Sequence, residues 1–404
     1  MNTEKFAFPA FMFFIFVKAF SGPIGITLPF LNYSAVAFML VLLVCRWLKY
    51  LLINPSVMIL SGLFLFYTLV GVLNNGLIQA LFGIYIFIPF LFSVSYSEVL
   101  FEKIIDNSKN IFLFFGISAI VGVMYVNING APWLGSVLEI GGHEKILSRD
   151  WTAGGALRNP GFTGASFDVA TLMLICFFFT LYNLKKSKQW LFYLVVVLLP
   201  IYPIYLTTTK TTIVTYCILS VLILLPSIVN VIFSRIVMFF SVMFSYYYML
   251  PGEGRVRYDE TNTFLQRIYE TWPKAMGLLT DNMSFLIGRG IGGIGTPSLL
   301  FSPRFYNPAD NALVYLYVIG GVASVILVMF FLLKFVASSS EDRNISSFYY
   351  LLAFVIFTGG VTYNLFESVF YAPFTGLLIG TLFNRKFFFL RKFTFQRKPI
   401  EIIS

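Results

Sequence analysis

The chain has 404 residues, of which 58% are hydrophobic and only 11% charged, with a mean hydropathy of +0.83 and a net charge of +10. A soluble domain carries about a quarter charged residues, so this composition excludes a water-soluble enzyme and specifies an integral membrane protein. The positive charge is not a nucleic-acid footprint, because most of the cations flank apolar segments, where the cytoplasmic bias of Lys and Arg accounts for them.

Continuously apolar stretches such as Val195–Leu199 and Leu222–Leu225 lack the alternation of a β-barrel and favour closed helices. An all-α polytopic fold is expected. About twelve spans can be drawn, over 6–21, 31–48, 56–73, 77–95, 110–127, 165–183, 189–206, 211–227, 231–250, 310–335, 346–362 and 366–384. The first follows Lys5 and resembles a signal-peptide core, but Lys18 interrupts it and no convincing small-residue cleavage site follows. It is read as an uncleaved helix. Cys45, Cys176 and Cys217 lie inside apolar runs without zinc-ligand spacing, and His143 is the single histidine, so no metal or other cofactor is expected.

With both termini inside, seventeen of the twenty-eight Lys and Arg residues fall on the cytoplasmic side, and the reversed topology would expose all of these outside. Ten remain outward: Lys145, Arg149, Arg158, Lys210, Arg255, Arg257, Arg267, Lys274, Arg289 and Arg304. Most sit in two large outer loops, 128–165 and 251–309. Outward cations run against the usual bias, and an anionic ligand at the outer face would supply a reason for them.

The first loop ends in Arg158-Asn-Pro-Gly-Phe-Thr-Gly164, with Asp168 one turn into the next span. Arg158 could face a phosphate or sugar near the interface, or it could anchor to headgroups or pair with Asp168. His143, near Glu139 and Glu144, reads as a solvated loop residue. Further on, Leu206-Thr-Thr-Thr-Lys210-Thr-Thr212 is too short for a free loop and places Lys210 at the outer rim. Thr209 and its neighbouring hydroxyls suit anion or hydroxyl recognition, or they satisfy backbone groups in a tight helical hairpin.

The second loop holds Arg255, Arg257, Arg267 and Arg289. Residues Thr263–Leu279 show helical periodicity and predict a helix on the membrane surface. Arg267 and Glu270 lie one turn apart and could form an exposed ion pair. Tyr269 and Trp272 could stack on sugars or anchor at the interface. The run Gly288-Arg-Gly-Ile-Gly-Gly-Ile-Gly295 matches a dinucleotide fingerprint formally, but it lacks βαβ context and lies on the wrong side of the membrane. It reads as a flexible loop letting backbone approach a ligand, or as a plain turn. The next span opens Asn307-Pro-Ala-Asp310-Asn311. Asp310 suits a helix N-cap, and beside a cationic cavity it could act as a base. Glu367, at the start of the last span, has the same two readings. The tail 385–404 alternates cations with Phe and reads as an interfacial helix on anionic lipid or a stop-transfer cluster.

The order of these features, from Arg158 to Gly321, resembles the O-antigen polymerase and ligase superfamily (Wzy-type and WaaL-type). It comprises R-x-P-G-x-x-G before a span, a T-T-T-K rim, an Arg-bearing outer helix, a G-x-G-x-G run, and D-N-A-L-x-x-L-Y-x-x-G-G opening a span. Thr209-Lys210 departs from the family's Ser-Arg, and Asp310 stands where ligases carry His, so the chain looks more like a polymerase. The resemblance implies a GT-C-like, metal-independent glycosyltransferase of the bacterial inner membrane with its site facing the periplasm. Its donor would be a glycan on undecaprenyl pyrophosphate and its acceptor another lipid-linked repeat unit, with a chain-length regulator and a flippase as partners. Arg267, Asp310 and Glu367 would then carry the chemistry. Arg158, Lys210, Arg289, Thr209, Asn311, Arg255 and Arg257 would bind substrate. A ligase of the same superfamily, or a lipid-linked oligosaccharide flippase, remains the alternative. A flippase should show charges deep in spans and pseudo-symmetric halves, whereas the outer loops here are asymmetric.

Overall fold

The computed structural model describes residues 3–51, 55–107, 109–140, 143–153, 155–249, 263–384 and 386–390. The chain folds as a multi-pass helical membrane protein. Its first half runs α1 (Glu4–Ala19), α2 (Ser21–Thr27), α3 (Leu31–Tyr50), α4 (Pro55–Asn75), α5 (Leu77–Ser95), α6 (Ser97–Asn107) and α7 (Lys109–Asn129). Four short strands follow: β1 (Val137–Ile140), β2 (His143–Ile146), β3 (Thr152–Ala153) and β4 (Ala156–Leu157). Next come α8 (Ser166–Lys186), α9 (Trp190–Leu198), α10 (Ile201–Leu206), α11 (Lys210–Leu224) and α12 (Ser227–Met249). The second loop contributes α13 (Thr263–Gln266), a π-helical turn (Arg267–Thr271), α14 (Trp272–Met276), α15 (Asn282–Ile287) and α16 (Thr296–Phe301). The chain closes with α17 (Ala312–Ala337), β5 (Ser338–Ser339), α18 (Arg343–Thr362), α19 (Tyr371–Phe383) and β6 (Phe389–Leu390).

Among the described residues eight helices are long and apolar enough to cross a bilayer: α3, α4, α5, α7, α8, α12, α17 and α18. The first expected span is bent instead, with α1 and α2 meeting at 83°, and counting that pair gives up to nine. The bend has a chemical cause. Pro23 has no N–H to donate, and in a continuous helix its ring would strike the carbonyl four residues earlier. Three shorter apolar helices, Trp190–Leu206, Lys210–Leu224 and Tyr371–Phe383, occupy the other expected positions. The first of these is interrupted around Pro200.

The bundle packs α7 along α8, α12 along α18, and α5 along α19. Helix α8 is its axis. It is apolar on every face, and 89% of its span lies inside the protein, as a helix without a polar stripe requires. Gly376 and Gly380, four apart on α19, let that helix touch α5 and the start of α6, since a Cβ at Gly376 would lie 2.2 Å from the Phe90 carbonyl oxygen.

Two expectations change outside the bundle. The first large loop carries two antiparallel hairpins, β1–β2 and β3–β4, where no strand was expected. The start of the basic tail packs into protein rather than onto lipid. Phe387 and Phe388 are buried against Phe101 and Tyr349, Lys386 pairs with Glu98 and Glu102, and β6 pairs with β5. Residues 391–404 lie outside the described residues.

Candidate functional site

The two large loops converge over the same end of the bundle. At the centre Arg267 Nε lies 3.1 Å from Asp310 Oδ2, and Arg267 Nη1 donates to the Thr362 carbonyl oxygen at 3.1 Å. The expected pair of Arg267 with Glu270 is replaced: Glu270 binds Lys274 one turn on, 3.1 Å away. The helix predicted over Thr263–Leu279 is present as far as Met276, but Arg267 begins a π turn within it. The wider turn changes which way the following side chains point, and such turns recur at functional sites. Trp272, a candidate for sugar stacking, is instead fully buried, with Phe244 and Phe264 edge-on to its ring.

Asp310 is not a helix cap. Asn311 caps α17, its Oδ1 accepting from Leu313 and Val314 N–H, while its amide donates to Ser245 Oγ at 2.8 Å and to the Val361 carbonyl. Asn311 is fully buried, so its side chain is committed to the interior rather than to a ligand. Asp310 and Ala309 both hold positive φ, +48° and +58°. Asn307 enforces that turn. Its Oδ1 accepts from Ala309 N–H at 2.7 Å, and its amide donates to the Thr271 carbonyl at the end of the π turn at 2.9 Å. One side chain thus ties the strained loop of Asp310 to the turn of Arg267. Of the four non-glycine residues with positive φ among those described, three, Thr208, Ala309 and Asp310, belong to this site. Such conformations persist where surrounding structure over-determines them.

Arg158 does not pair with Asp168. Its Nε donates to Thr208 Oγ1 at 3.1 Å and its guanidinium lies 5.4 Å from the Trp151 ring centroid. Burial holds its pKa below the ordinary guanidinium value, with Arg267 adding to the depression and Tyr363 and Asp310 opposing it. Arg158, Arg267, Asp310 and Tyr363 therefore share one electrostatic neighbourhood. The Tyr363 phenol is raised by burial, against the pull of Arg267 and Arg158. Tyr363 stacks between Phe167 and Tyr371, at centroid distances of 6.1 and 6.0 Å.

The threonines of the rim are divided. Thr207 and Thr209 are buried and bonded to each other at 2.5 Å, as a self-satisfied turn requires, while Thr208 faces Arg158. Lys210 opens α11, exposed and without an ion-pair partner among the described residues. A cation is least favourable at that helix end. Arg255 and Arg257 lie outside the described residues.

Arg289 and Glu367 serve the framework. Arg289 donates to the Leu278 carbonyl and to Asn75 Oδ1 and lies over Phe305. Glu367 caps α16, not its own helix: its carboxylate accepts from Thr296 N–H and from Thr296 Oγ1 at 2.7 Å, lying against Gly295. Burial pushes its carboxyl pKa up, with the bonds from Thr296 and the charge of Arg149 opposing. The glycine run is no flexible loop. Arg289 and Gly290 N–H donate to the Val318 and Ile319 carbonyls, and Ile291 N–H donates to the Tyr67 carbonyl. A Cβ at Gly290 would fall 2.1 Å from Gly71 N. These carbonyls sit beside a break in α17 at Gly321, whose φ is +56°. Residues 282–301 thus form a helix–turn–helix tucked between α4, α5 and α17.

An apolar groove of about 750 Å³, lined by Phe240, Met243, Phe244 and Tyr247 of α12 with Phe264 and Val361, runs beside this centre. Phe264 is one turn from Arg267, and Val361 precedes the Thr362 whose carbonyl Arg267 holds. Among the described residues no three His, Cys, Asp or Glu side chains converge as metal ligands. Sequence reasoning counted Arg149 only among the outward cations, Thr208 only as part of the hydroxyl rim and Asn307 only as the opening of a span, and it did not single out Trp151 or Tyr363. Arg149-x-Trp151 carried a local signal, a cation and an aromatic two residues apart. Comparison of the chain with protein-family models, with curated proteins and with solved structures found no match.

Proposed function

We propose that this protein polymerises lipid-linked oligosaccharide repeat units at the outer face of the bacterial inner membrane, transferring a glycan from undecaprenyl pyrophosphate to the terminal sugar of another lipid-linked unit. The observation that carries the reading is that the Arg267–Asp310 pair neighbours an open apolar groove, whose lining residue Phe264 is one turn from Arg267 and whose Val361 precedes the Thr362 that Arg267 holds. A substrate with a long apolar tail and an anionic head needs both features side by side. In this reading the fold is GT-C-like with twelve crossings, the bent pair and the three shorter helices each counting as one.

The acceptor hydroxyl attacks the anomeric carbon as its bond to the pyrophosphate oxygen breaks, inverting that carbon. The hydroxyl proton passes to the Asp310 carboxylate, and the bonding electrons leave with undecaprenyl pyrophosphate. Charge builds on that leaving group, so Arg267, held in place before the reaction, stabilises the transition state more than the ground state. Lys210 at the exposed rim adds a second cation, and Arg158 faces the neighbouring glycan. Asp310 rather than Glu367 is the base in this scheme, because the Glu367 oxygens are already taken by Thr296.

A transporter reading is favoured by one observation, the broken helices α1–α2 and α17, since discontinuous spans are common in transporters. Purified protein given lipid-linked units in detergent separates the two. Elongated products identify a polymerase, and their absence, with intact movement of the units across vesicles, identifies a transporter. In cells, deletion that removes the glycan ladder but leaves single units attached supports polymerisation over ligation.

A further inference from the structure

We propose that Arg149, Trp151 and Arg158 form a clamp for the carboxylate of a sugar acid, so that the glycan handled here is acidic. The inference rests on the glycan reading above. The clamp is built at the base of the β3–β4 hairpin. Arg158 N–H donates to the Trp151 carbonyl at 2.8 Å, extending the ladder in which Thr152 faces Leu157. Cross-strand neighbours share a face of the hairpin, and the Arg158 guanidinium accordingly lies 5.4 Å from the Trp151 ring centroid. Arg149, two residues upstream, is fixed by its N–H to the Gly164 carbonyl, and its guanidinium lies 4.7 Å from the same centroid. Both cations are therefore within about 10 Å of each other around one indole.

Among the described residues neither guanidinium forms an ion pair. Asp150 stands between them in sequence but is exposed and pairs with neither. Cation–π contacts at such a site orient the guanidiniums without neutralising them. Each guanidinium presents the planar fork that matches a carboxylate, and two of them around one indole make the hairpin base a cationic patch for an acidic sugar. Trp151 is 37% exposed, leaving ring surface for a sugar's C–H face.

The position argues for what the anion belongs to. Arg158 donates to Thr208 on the rim beside Lys210, and Arg149 also lies 5.7 Å from the Phe167 ring, which packs 6.1 Å from Tyr363, a neighbour that Arg158 and Arg267 share. The clamp thus borders the reacting centre without being part of the Arg267–Asp310 pair. Arg267 and Lys210 remain for the pyrophosphate, and the clamp for a charge carried on a sugar.

The test uses the full-length protein in lipid nanodiscs and three probes: an oligosaccharide of alternating glucuronate and N-acetylglucosamine, its carboxyl-reduced neutral form, and inorganic pyrophosphate. Saturation-transfer NMR titration should show the acidic oligosaccharide binding roughly tenfold more tightly than the neutral one, the size of a single charge-assisted contact. Arg149→Gln should erase that preference and Arg149→Lys should keep part of it. Raising salt from about 0.05 to 0.5 M should shrink it. Should Arg149→Gln not fold, Trp151→Phe, which keeps both cations but loosens their platform, should still reduce the preference. Equal binding of the acidic and neutral forms, or an undiminished preference in the folded variants, overturns the clamp. So does pyrophosphate that displaces the acidic probe and is itself weakened by Arg149→Gln, because the anion would then be the carrier's. Binding is read without glycosyl transfer, so failure of the clamp leaves the polymerase assay standing, and the reverse.

Discussion

Replacing Arg267 with Ala separates a strut from a catalytic cation. The pair with Asp310 is reachable by solvent, its side chains 25% and 35% exposed, so its Coulomb energy is screened and contributes about 0–1 kcal/mol to folding. The bond to the Thr362 carbonyl adds about 0.5–1.5 kcal/mol. Arg267→Ala should therefore lower stability by no more than about 2.5 kcal/mol. Removing a fixed donor from a developing anion costs far more in rate, about 100- to 1,000-fold, equivalent to about 2.7–4 kcal/mol. Arg267→Lys should fall between, because one ammonium cannot serve Asp310 and Thr362 with the geometry of a guanidinium. The assay is elongation of lipid-linked repeat units by purified protein in nanodiscs, read as a product ladder, with thermal unfolding measured on the same samples. Elongation within about threefold of the parent in a folded Arg267→Ala protein would refute the reasoning, since losing a donor fixed on a developing anion typically costs about 100-fold or more.

Three further changes probe the surroundings. Glu367→Gln keeps an acceptor for Thr296 and should retain the fold and elongation, whereas Glu367→Ala should lose about 1–3 kcal/mol by stranding the end of α16. The carboxyl pKa of Glu367 is raised in the native state, so the folded protein holds that proton to higher pH than the unfolded chain; stability from this group falls as pH rises above the ordinary carboxylate range, and unfolding of Glu367→Gln should lack that slope. Gly290→Ala places a methyl against Gly71 backbone at a φ of +75°, and should cost on the order of 3 kcal/mol or more, read as loss of folded protein in detergent. Val361→Trp fills the groove and should raise the KM for lipid-linked units several-fold without altering binding of a water-soluble glycan, which inhibition titrations will check.

The class of the protein and the run of its helices were legible because twenty-residue apolar stretches permit little else. Arg267 and Asp310 were each recognisable as candidates. Their pairing was not, because they are joined across forty-three positions by a turn that Asn307 sets, and helical spacing offered Glu270 instead. The Asp310-Asn311 pair illustrates a limit of local reasoning. Both side chains can cap a helix, and the backbone chose Asn311 by turning Asp310 into positive φ. The β1–β2 hairpin had a signal in Val-Leu-Glu-Ile-Gly-Gly-His-Glu-Lys-Ile, two short strands around a glycine pair, but it was hidden by the helical character of the rest. The glycine run was visible as a turn, and Gly320-Gly321 as the end of a motif, while its other partners Gly71 and Gly83 are single residues in two further helices with nothing to mark them.

The contact between that run and α17 bears on how the protein enters the bilayer. The Val318 and Ile319 carbonyls lie beside the break at Gly321 and are met by N–H groups of Arg289 and Gly290. In lipid each carbonyl left without a donor would cost several kcal/mol. The broken form of α17 is therefore not a shape this helix can take alone during synthesis. Residues 288–290 precede it in the chain and can wait at the membrane surface, so α17 would be expected to insert as an unbroken rod and to bend when that segment docks. Biogenesis would then have a late step, in which the outer end of the bundle closes after every helix is already in place.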